Sequence, residues 1–370
     1  MLSQRSRVKT WSTSDQAYHS GWHDGWRLGA CRSIDKVMKQ TVDVAATPVC
    51  QATILYVSQG FEAIDRGIIA ALSSQVSQVH VVSYDLIEQQ AVLLRPDAVI
   101  VLNGLHIFPA NQVEQIEAIR RLNILTAIWF VDDPYFTDDT MHIAPHYDYV
   151  FTHERACVPL YQSLGCTQVH HLPLATHSEL FYPQAVEREY VHDICFIGTG
   201  FHNRIQLFDQ LAPYLKRKNV VIAGGLWHRM RRYGLIANSI IPEGVRIEEA
   251  AKLYNGAKIV INVHRATDHR LERRNSRNWP GQSINPRTFD IGGCGAMQLT
   301  DYREELPDFY HVGTEIDVYQ NARQLMELLD YYLTNENERT KIAARGYLRT
   351  RREHSFTSRV RRLLNTLGFC

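Results

Sequence analysis

Twice along this chain a short apolar run gives way to an amphipathic stretch and then to another apolar run, and that repeated alternation restricts the fold more than any other feature. From Ala52 the order is ATILYVS, an amphipathic segment at 63–73, VHVVSY, DAVIVLN, a second amphipathic segment at 112–122, and LTAIWFVDD. Apolar runs of this length, bounded by turn residues and separated by helical segments, predict a parallel sheet with helices on its faces. DYVFTHE and QVHHLPL add two strands around a helix at 155–164, and 180–189, with Pro183 and a charged run, reads as a linker. The alternation restarts at HDICFIGTG and continues through a helix at 203–215, NVVIAGG, a helix at 247–255, AKIVINV, a helix at 286–292 and AMQLTD. From Ala322 the period is helical and ends in a basic stretch containing Arg349, Arg351, Arg352, Arg359, Arg361 and Arg362.

The expected fold class is therefore α/β, with two Rossmann-like doubly wound domains. A chain of 370 residues also exceeds the size at which one core keeps growing, roughly 250–300 residues. The expected division is an N-terminal helical extension at 1–45, a first Rossmann-like domain at 46–185 and a second at 186–345. A C-terminal helix at 346–370 is expected to pack back on the first domain. In the extension, Tyr18, Trp22 and Trp26 recur beside Gly21, Gly25 and Gly29, so a helix there carries an aromatic stripe next to a glycine stripe. Glycine weakens a free helix by about 1 kcal/mol per position, so this one needs a docking partner, either its own domain or a second subunit in a homodimer.

Lys plus Arg total 40 against 39 Asp plus Glu, leaving +1, so no global field draws the chain to nucleic acid. No apolar run approaches the roughly 20 residues of a membrane span. Met1 to Trp11 lack the apolar stretch of a secretory signal, and a cytoplasmic location is expected. The seven cysteines are scattered, odd in number and without a CxxC pair, and they read as separate reduced thiols with neither a zinc site nor a disulfide framework.

In open α/β sheets, ligands sit beyond the carboxyl ends of the strands. There the strand 194–197 runs into Gly198, Thr199 and Gly200, with Arg204 one turn on. Glycines admit a phosphate, a helix start offers unpaired N–H groups and arginine adds a forked charge. Asn203 replaces the third glycine of GxGxxG, and Val220 to Ala223 end in Gly224 and Gly225 instead of an acidic residue, which disfavours a dehydrogenase. In GQSINPRTFDIGGCGAMQLTD, Ser283 or Asn285 can cap a helix that Pro286 begins, placing Arg287 and Thr288 in its first turn and Asp290 on the next. A cation at a helix start with a carboxylate one turn later can grip a pyrophosphate and a ribose together.

His264 and Arg265 end the strand 259–263 and open a loop with Arg270, Arg273, Arg274 and Arg277. Such arginines can offset charge on a departing diphosphate. Asp132 and Asp133 follow another strand and can orient or deprotonate a hydroxyl, although neighbours in an extended segment point opposite ways and only one should face a cleft. His153, Glu154 and His106 are lesser candidates, and Gly60, Phe61 and Arg66 mark a loop able to close over a ligand. No GxSxG, HExxH or GxxxxGK[ST] pattern occurs.

INPRTFDIGGCGAMQLTDYREELPDFY and ERTKIAARGYLRTRREHSFTSRV, together with WFVDDPYF, DYVFTHE, LYQSLGC and HLPLATHSELFYP, resemble the CgeB-like (spore maturation) glycosyltransferases of GT-B fold, over about 52–364. The resemblance implies a nucleoside diphosphate sugar donor, a UDP-sugar, held by the second domain without an obligatory metal. It implies an acceptor (glycan, protein or small molecule) approached from the first domain. By position, Gly198, Thr199 and Arg204 would line the phosphates and Asp290 would bind the ribose. Related retaining enzymes carry two glutamates at the positions of Gln282 and Asp290; retention is expected by resemblance, while the change at Gln282 removes a charge near the sugar. The alternative reading is a catalytically inactive binding or spore-surface assembly protein that keeps the fold.

Overall fold

The computed structural model describes residues 13–41 and 49–370. Its first sheet contains β1 (Cys50–Val57), β2 (Val76–Val82), β3 (Ala98–Leu102), β4 (Leu125–Phe130), β5 (Tyr149–Thr152) and β6 (Val169–His171). These are all parallel, in the order β2-β1-β3-β4-β5-β6. The second sheet contains β7 (His192–Ile197), β8 (Val220–Ala223), β9 (Ile240–Ile241), β10 (Ala257–Asn262), β11 (Met297–Asp301) and β12 (Asp317–Tyr319). It is again parallel, in the order β12-β11-β10-β7-β8-β9. Strand order reverses between β1 and β3 in one sheet and between β7 and β10 in the other, so each sheet opens a crevice beyond those strand ends. The central strand β3 is buried along its whole length, as a sheet covered on two faces requires.

Helices α1 (Thr13–Thr41), α2 (Glu62–Ser73), α3 (Ile87–Leu94), α4 (Gln112–Arg121), α5 (Thr137–Ile143) and α6 (Val158–Ser163) accompany the first half. The second half has α7 (His202–Leu215), α8 (Ile247–Gly256), α9 (Pro286–Gly293), α10 (Leu306–Phe309), α11 (Ala322–Thr334), α12 (Glu336–Glu353) and α13 (Phe356–Thr366). No helix among the described residues is long and apolar enough to cross a membrane.

Two expectations are corrected. The C-terminal helix is not one element beginning at 346, because α12 continues to Glu353 on the second domain and only α13 returns to the first, where Phe356, Val360, Leu363 and Leu364 join its core. The chain crosses at His354–Ser355, and that crossing pairs with the earlier one: Thr176 N–H donates to His354 O, and Phe356 N–H to Thr176 O. Because α13 lies on α2, the last residue meets the first residue of β1, and Cys50 and Cys370 form a disulfide with a Cα–Cα distance of 5.2 Å. Five cysteines stay free, and the expectation of seven separate thiols fails because only the fold brings residues 320 positions apart together.

The docking partner expected for α1 is found within the same chain. The helix docks on the second domain not through its glycine stripe, where a Cβ at Gly21, Gly25 or Gly29 would meet nothing within 4 Å, but through Arg27, Cys31 and Asp35. Arg27 donates to the carbonyls of Cys294, Gly295 and Asn255 at the ends of α9 and α8, a favourable place for a cation, and Asp35 accepts from Tyr347. Trp22 and Trp26 remain about half exposed.

A test of the α13 packing follows from Gly67, whose Cα faces the Phe356 ring so closely that a Cβ would collide with it. Gly67→Ala gains at most about 1 kcal/mol of helix propensity. Overpacking costs about 1–3 kcal/mol, so the net result is a lower denaturation midpoint, measured by urea unfolding.

Candidate active site

The end of β7 and the start of α9 meet. A Cβ at Gly198 would lie 3.0 Å from an Arg204 amino nitrogen and 3.1 Å from one of Arg287, so only glycine leaves room for both guanidinium groups. Arg204 is 4% exposed and donates to the carbonyls of Val263 and Thr199, tying the end of β10 to the turn. Burial, helped by the neighbouring Arg287, pulls its pKa down to about 9. Arg287 donates to Asn262 Oδ1 at 3.2 Å. Among the described residues, no carboxylate pairs with Arg204, Arg287 or Arg265, whereas Arg339, Arg349 and Arg351, also buried or half-buried, each have one. Buried like charges without a counter-ion indicate a place for an anion.

The turn itself differs from the expectation that its main chain is free. Gly198 and Gly200 N–H donate to Ala223 and Gly225 carbonyls, and the first amide of α7, His202 N–H, donates to both Glu272 oxygens at 3.0 and 3.1 Å. Glu272 thus occupies the helix start with the charge the dipole favours. Gly224 lies directly against the Gly198 carbonyl, where a Cβ would collide, so it supports the turn from beneath and presents nothing to a ligand.

Asn285 caps α9 by accepting from Thr288 N–H at 3.1 Å. Ser283 does not: its hydroxyl donates to His153 O and its amide to Glu154, so it belongs to the seam between the domains. Thr288 is fully buried and accepts from Asn262 Nδ2, so it steadies the side chain whose Oδ1 takes the Arg287 bond. Gln282 gives its amide to Glu304 and its main-chain N–H to Glu154, which turns the side chain to a partner outside the Gly198 turn. Asp290 accepts from Thr176 Oγ1 at 2.8 Å and borders a cavity of about 250 Å³ with Phe61, Glu62, Ala175 and Pro286. Burial pushes its pKa up to about 7 against the opposing Thr176 bond and Arg287 charge.

His264 is buried, its Nδ1 bonded to Asp301 Oδ1 at 2.6 Å, and its Nε2 has no partner. Burial lowers its pKa although Asp301 pulls the other way. A neutral ring with an orphaned buried nitrogen is a group that a ligand would complete. Arg265 is stacked between domains, its Cζ 4.5 Å from the Tyr135 ring, 5.3 Å from Phe136 and 4.5 Å from Phe201, and its Nε is also unpartnered.

Of the two adjacent aspartates, Asp133 is fully buried and accepts from Thr152 and Tyr161, at 2.6 and 2.8 Å. Its pKa rises to about 6 through burial. Those bonds hold β5 and α6 to the end of β4, so a direct part in chemistry is ruled out by access. Asp132 is the partly exposed member, accepting from Asn103 Nδ2 at 2.9 Å and lying 3.2 Å from His106 Nε2. His106 meets Asp132 from beyond another strand, a pairing that no local sequence pattern shows. His153 and Glu154 lie in the seam: Glu154, 1% exposed, accepts from the amides of Ala156, Gln282 and Ser283.

The arginine loop is not solvated surface throughout. Arg274 N–H donates to Tyr135 O, its carbonyl accepts from Asp138 N–H, and its guanidinium pairs with Asp139 at 2.9 Å, fastening the second domain to α5. Among the described residues no group of three His, Cys, Asp or Glu side chains is placed to hold a metal.

Residues 204–365 match the family model for glycosyl transferase-like proteins. Spore protein CgeB of Bacillus subtilis (strain 168) is 30% identical over 228 residues, covering 60% of this chain and 69% of that protein. Among solved structures, Anabaena HepE in complex with UDP and glucose superposes with a TM-score of 0.60 at 10% identity, over 86% of this chain and 100% of that one. Sucrose-phosphate synthase from Thermosynechococcus elongatus gives 0.58 at 11%, over 86% and 99%. At such identities the structures speak for the fold, two Rossmann-like domains facing across a cleft. Taken with the sequence matches, they make this chain an enzyme of the CgeB-like glycosyltransferase family.

Proposed function

We propose that the enzyme transfers a sugar from a nucleoside diphosphate sugar, a UDP-sugar, to an acceptor hydroxyl, with retention at the anomeric carbon and without a metal. The observation that carries this reading is the pair of guanidinium groups of Arg204 and Arg287 packed around Gly198 with no carboxylate between them. In it, Arg287 and Arg204 hold the diphosphate, and Asp290 binds the ribose in the cavity beside Phe61. Arg265, confined by three rings, meets the charge that develops on the leaving group, a role worth several kcal/mol where water is excluded. Asp132 faces the acceptor. The complex of the structurally similar HepE with UDP supports the choice of base.

Calorimetric titration with UDP, GDP and dTDP is the test. Binding of UDP at micromolar concentration is expected, and no heat with any of the three removes the proposal. The engagement of Gln282 by Glu304 favours a second reading, a binder without turnover. That reading requires UDP affinity with neither transfer nor donor hydrolysis, and proton NMR of any product reads the anomeric configuration.

A further inference from the structure

Beyond β3, where the first sheet reverses its order, Asn103, Gly104 and His106 all have left-handed backbone, with φ of 62°, 66° and 61°. Left-handed conformations cost L-residues about 1–2 kcal/mol each unless the surroundings compensate, and they gather at ligand sites. Here the compensation is visible: Asn103 Oδ1 accepts from the amides of Val131 and Asp132 while its Nδ2 donates to Asp132. Asp132 is thereby fixed, and its Oδ2 takes the Nε2–H of His106. That bond selects the tautomer with a free lone pair on Nδ1. The ring stands edge-on to Phe136, centroids 4.6 Å apart, in the wall of a cavity of about 400 Å³.

We propose that this cavity is the acceptor subsite, that its ligand is a neutral pyranoside, and that His106 positions the reacting hydroxyl. The proposal rests on the donor reading above and names the other substrate of the same reaction. A volume near the lower end of ligand pockets suits one or two sugar rings. Its walls combine the Phe108 and Phe136 rings with His106, Asp139 and Arg274. A hydrocarbon would leave the Nδ1 lone pair of His106 without a donor, at a cost of about 1–3 kcal/mol. An anion would meet the carboxylate of Asp139, which already neutralises Arg274. A pyranoside offers an apolar face to the rings and hydroxyls to the rest. Position agrees: Arg265 touches Phe136 on this side and, on the other, Phe201, which follows the Gly198 turn. One arginine therefore separates the cavity from the diphosphate pair.

Saturation-transfer NMR on the full chain tests this, with 4-nitrophenyl β-D-glucopyranoside and β-D-galactopyranoside as probes and 4-nitrophenol as control, with and without UDP. Sugar-ring protons of at least one pyranoside are expected to receive saturation, and 4-nitrophenol little. His106→Asn, chosen because asparagine tolerates a left-handed backbone, and Phe136→Ala should each weaken the signal at least fivefold. His106→Gln, whose longer side chain carries its amide about as far out as the imidazole Nε2, should restore part of it. UDP affinity of the His106→Asn protein should stay within twofold of the parent. Equal saturation of 4-nitrophenol, silence from both pyranosides, or signals indifferent to both substitutions would overturn the assignment. Failure of UDP to bind while pyranoside contact persists at Phe136 would strike the donor reading alone and leave this subsite standing.

Discussion

Arg287→Met is expected to abolish UDP binding at the concentrations of a calorimetric titration and, at the same time, to raise the melting temperature of the free protein. Most substitutions of a half-buried arginine destabilise, so the sign matters. The amino nitrogens of Arg204 and Arg287 both lie about 3 Å from the same point above Gly198, so they are at most about 6 Å apart. At an effective dielectric of about 20 that repulsion is about 3 kcal/mol. Below about pH 7, where Asp290 is protonated, the compensation on the Arg287 side is one hydrogen bond to Asn262 and a distant approach to the Phe196 ring, together about 1–2 kcal/mol. Methionine keeps the apolar stem and removes the charge. With ligand the balance reverses, since a diphosphate neutralises both groups; loss of one forked contact costs about 3–4 kcal/mol, or 10²–10³ in affinity and turnover. A variant that melts lower and still binds UDP would show that Arg287 is a structural residue and would remove the diphosphate site from this cleft.

How the site became legible depends on the range of the interactions that build it. The doubly wound architecture could be read because each strand and helix announces itself within ten residues, as in DAVIVLN, which becomes a strand buried at every position. The helix at Ile87–Leu94 went unread because it is only eight residues long and lies between a strand and a left-handed Arg95. Alternation along an extended segment required that only one of Asp132 and Asp133 face the cleft. Which one could not be known, since Thr152, Tyr161 and Thr140, which claim Asp133, arrive from β5, α6 and α5. Ser283 and Asn285 are equal as helix caps by residue type, and the decision is made by Glu154 and His153 across the domain seam. His106 gains its interest only from Asp132, 26 residues away, and the disulfide only from the return of α13 to β1. Local chemistry located the strand ends; long-range packing selected which residues there stay free to act.

Asp290→Asn separates two consequences of one buried carboxyl group. Burial raises its pKa from 3.8 to about 7, so the folded protein holds this proton more tightly than the unfolded chain does. Stability from this group is therefore fully present below about pH 4 and is lost as pH rises through about 7. At pH 8 the ionised group costs on the order of 2 kcal/mol, scaled down because it borders an open cavity. Asparagine keeps the shape and stays neutral, so the variant should melt higher than the parent at pH 8, and the difference should shrink as pH falls and vanish below about pH 4. Comparing the pair cancels the parallel effects of Asp133 and Glu154, whose pKa values are also raised by burial. The ionised form is nonetheless the one that a ribose diol prefers, since hydrogen bonds to a charged acceptor are worth about 1.5–3 kcal/mol against about 1 for a neutral one. Uridine, which has no phosphate to titrate in this range, should bind the parent more tightly at pH 8 than at pH 6. It should bind the asparagine variant about tenfold more weakly than the parent at pH 8, with little dependence on pH between the two values. A variant that gains stability at pH 8 but binds uridine as the parent does would leave Asp290 as a strut for the Thr176 crossing and move the ribose elsewhere in the cleft.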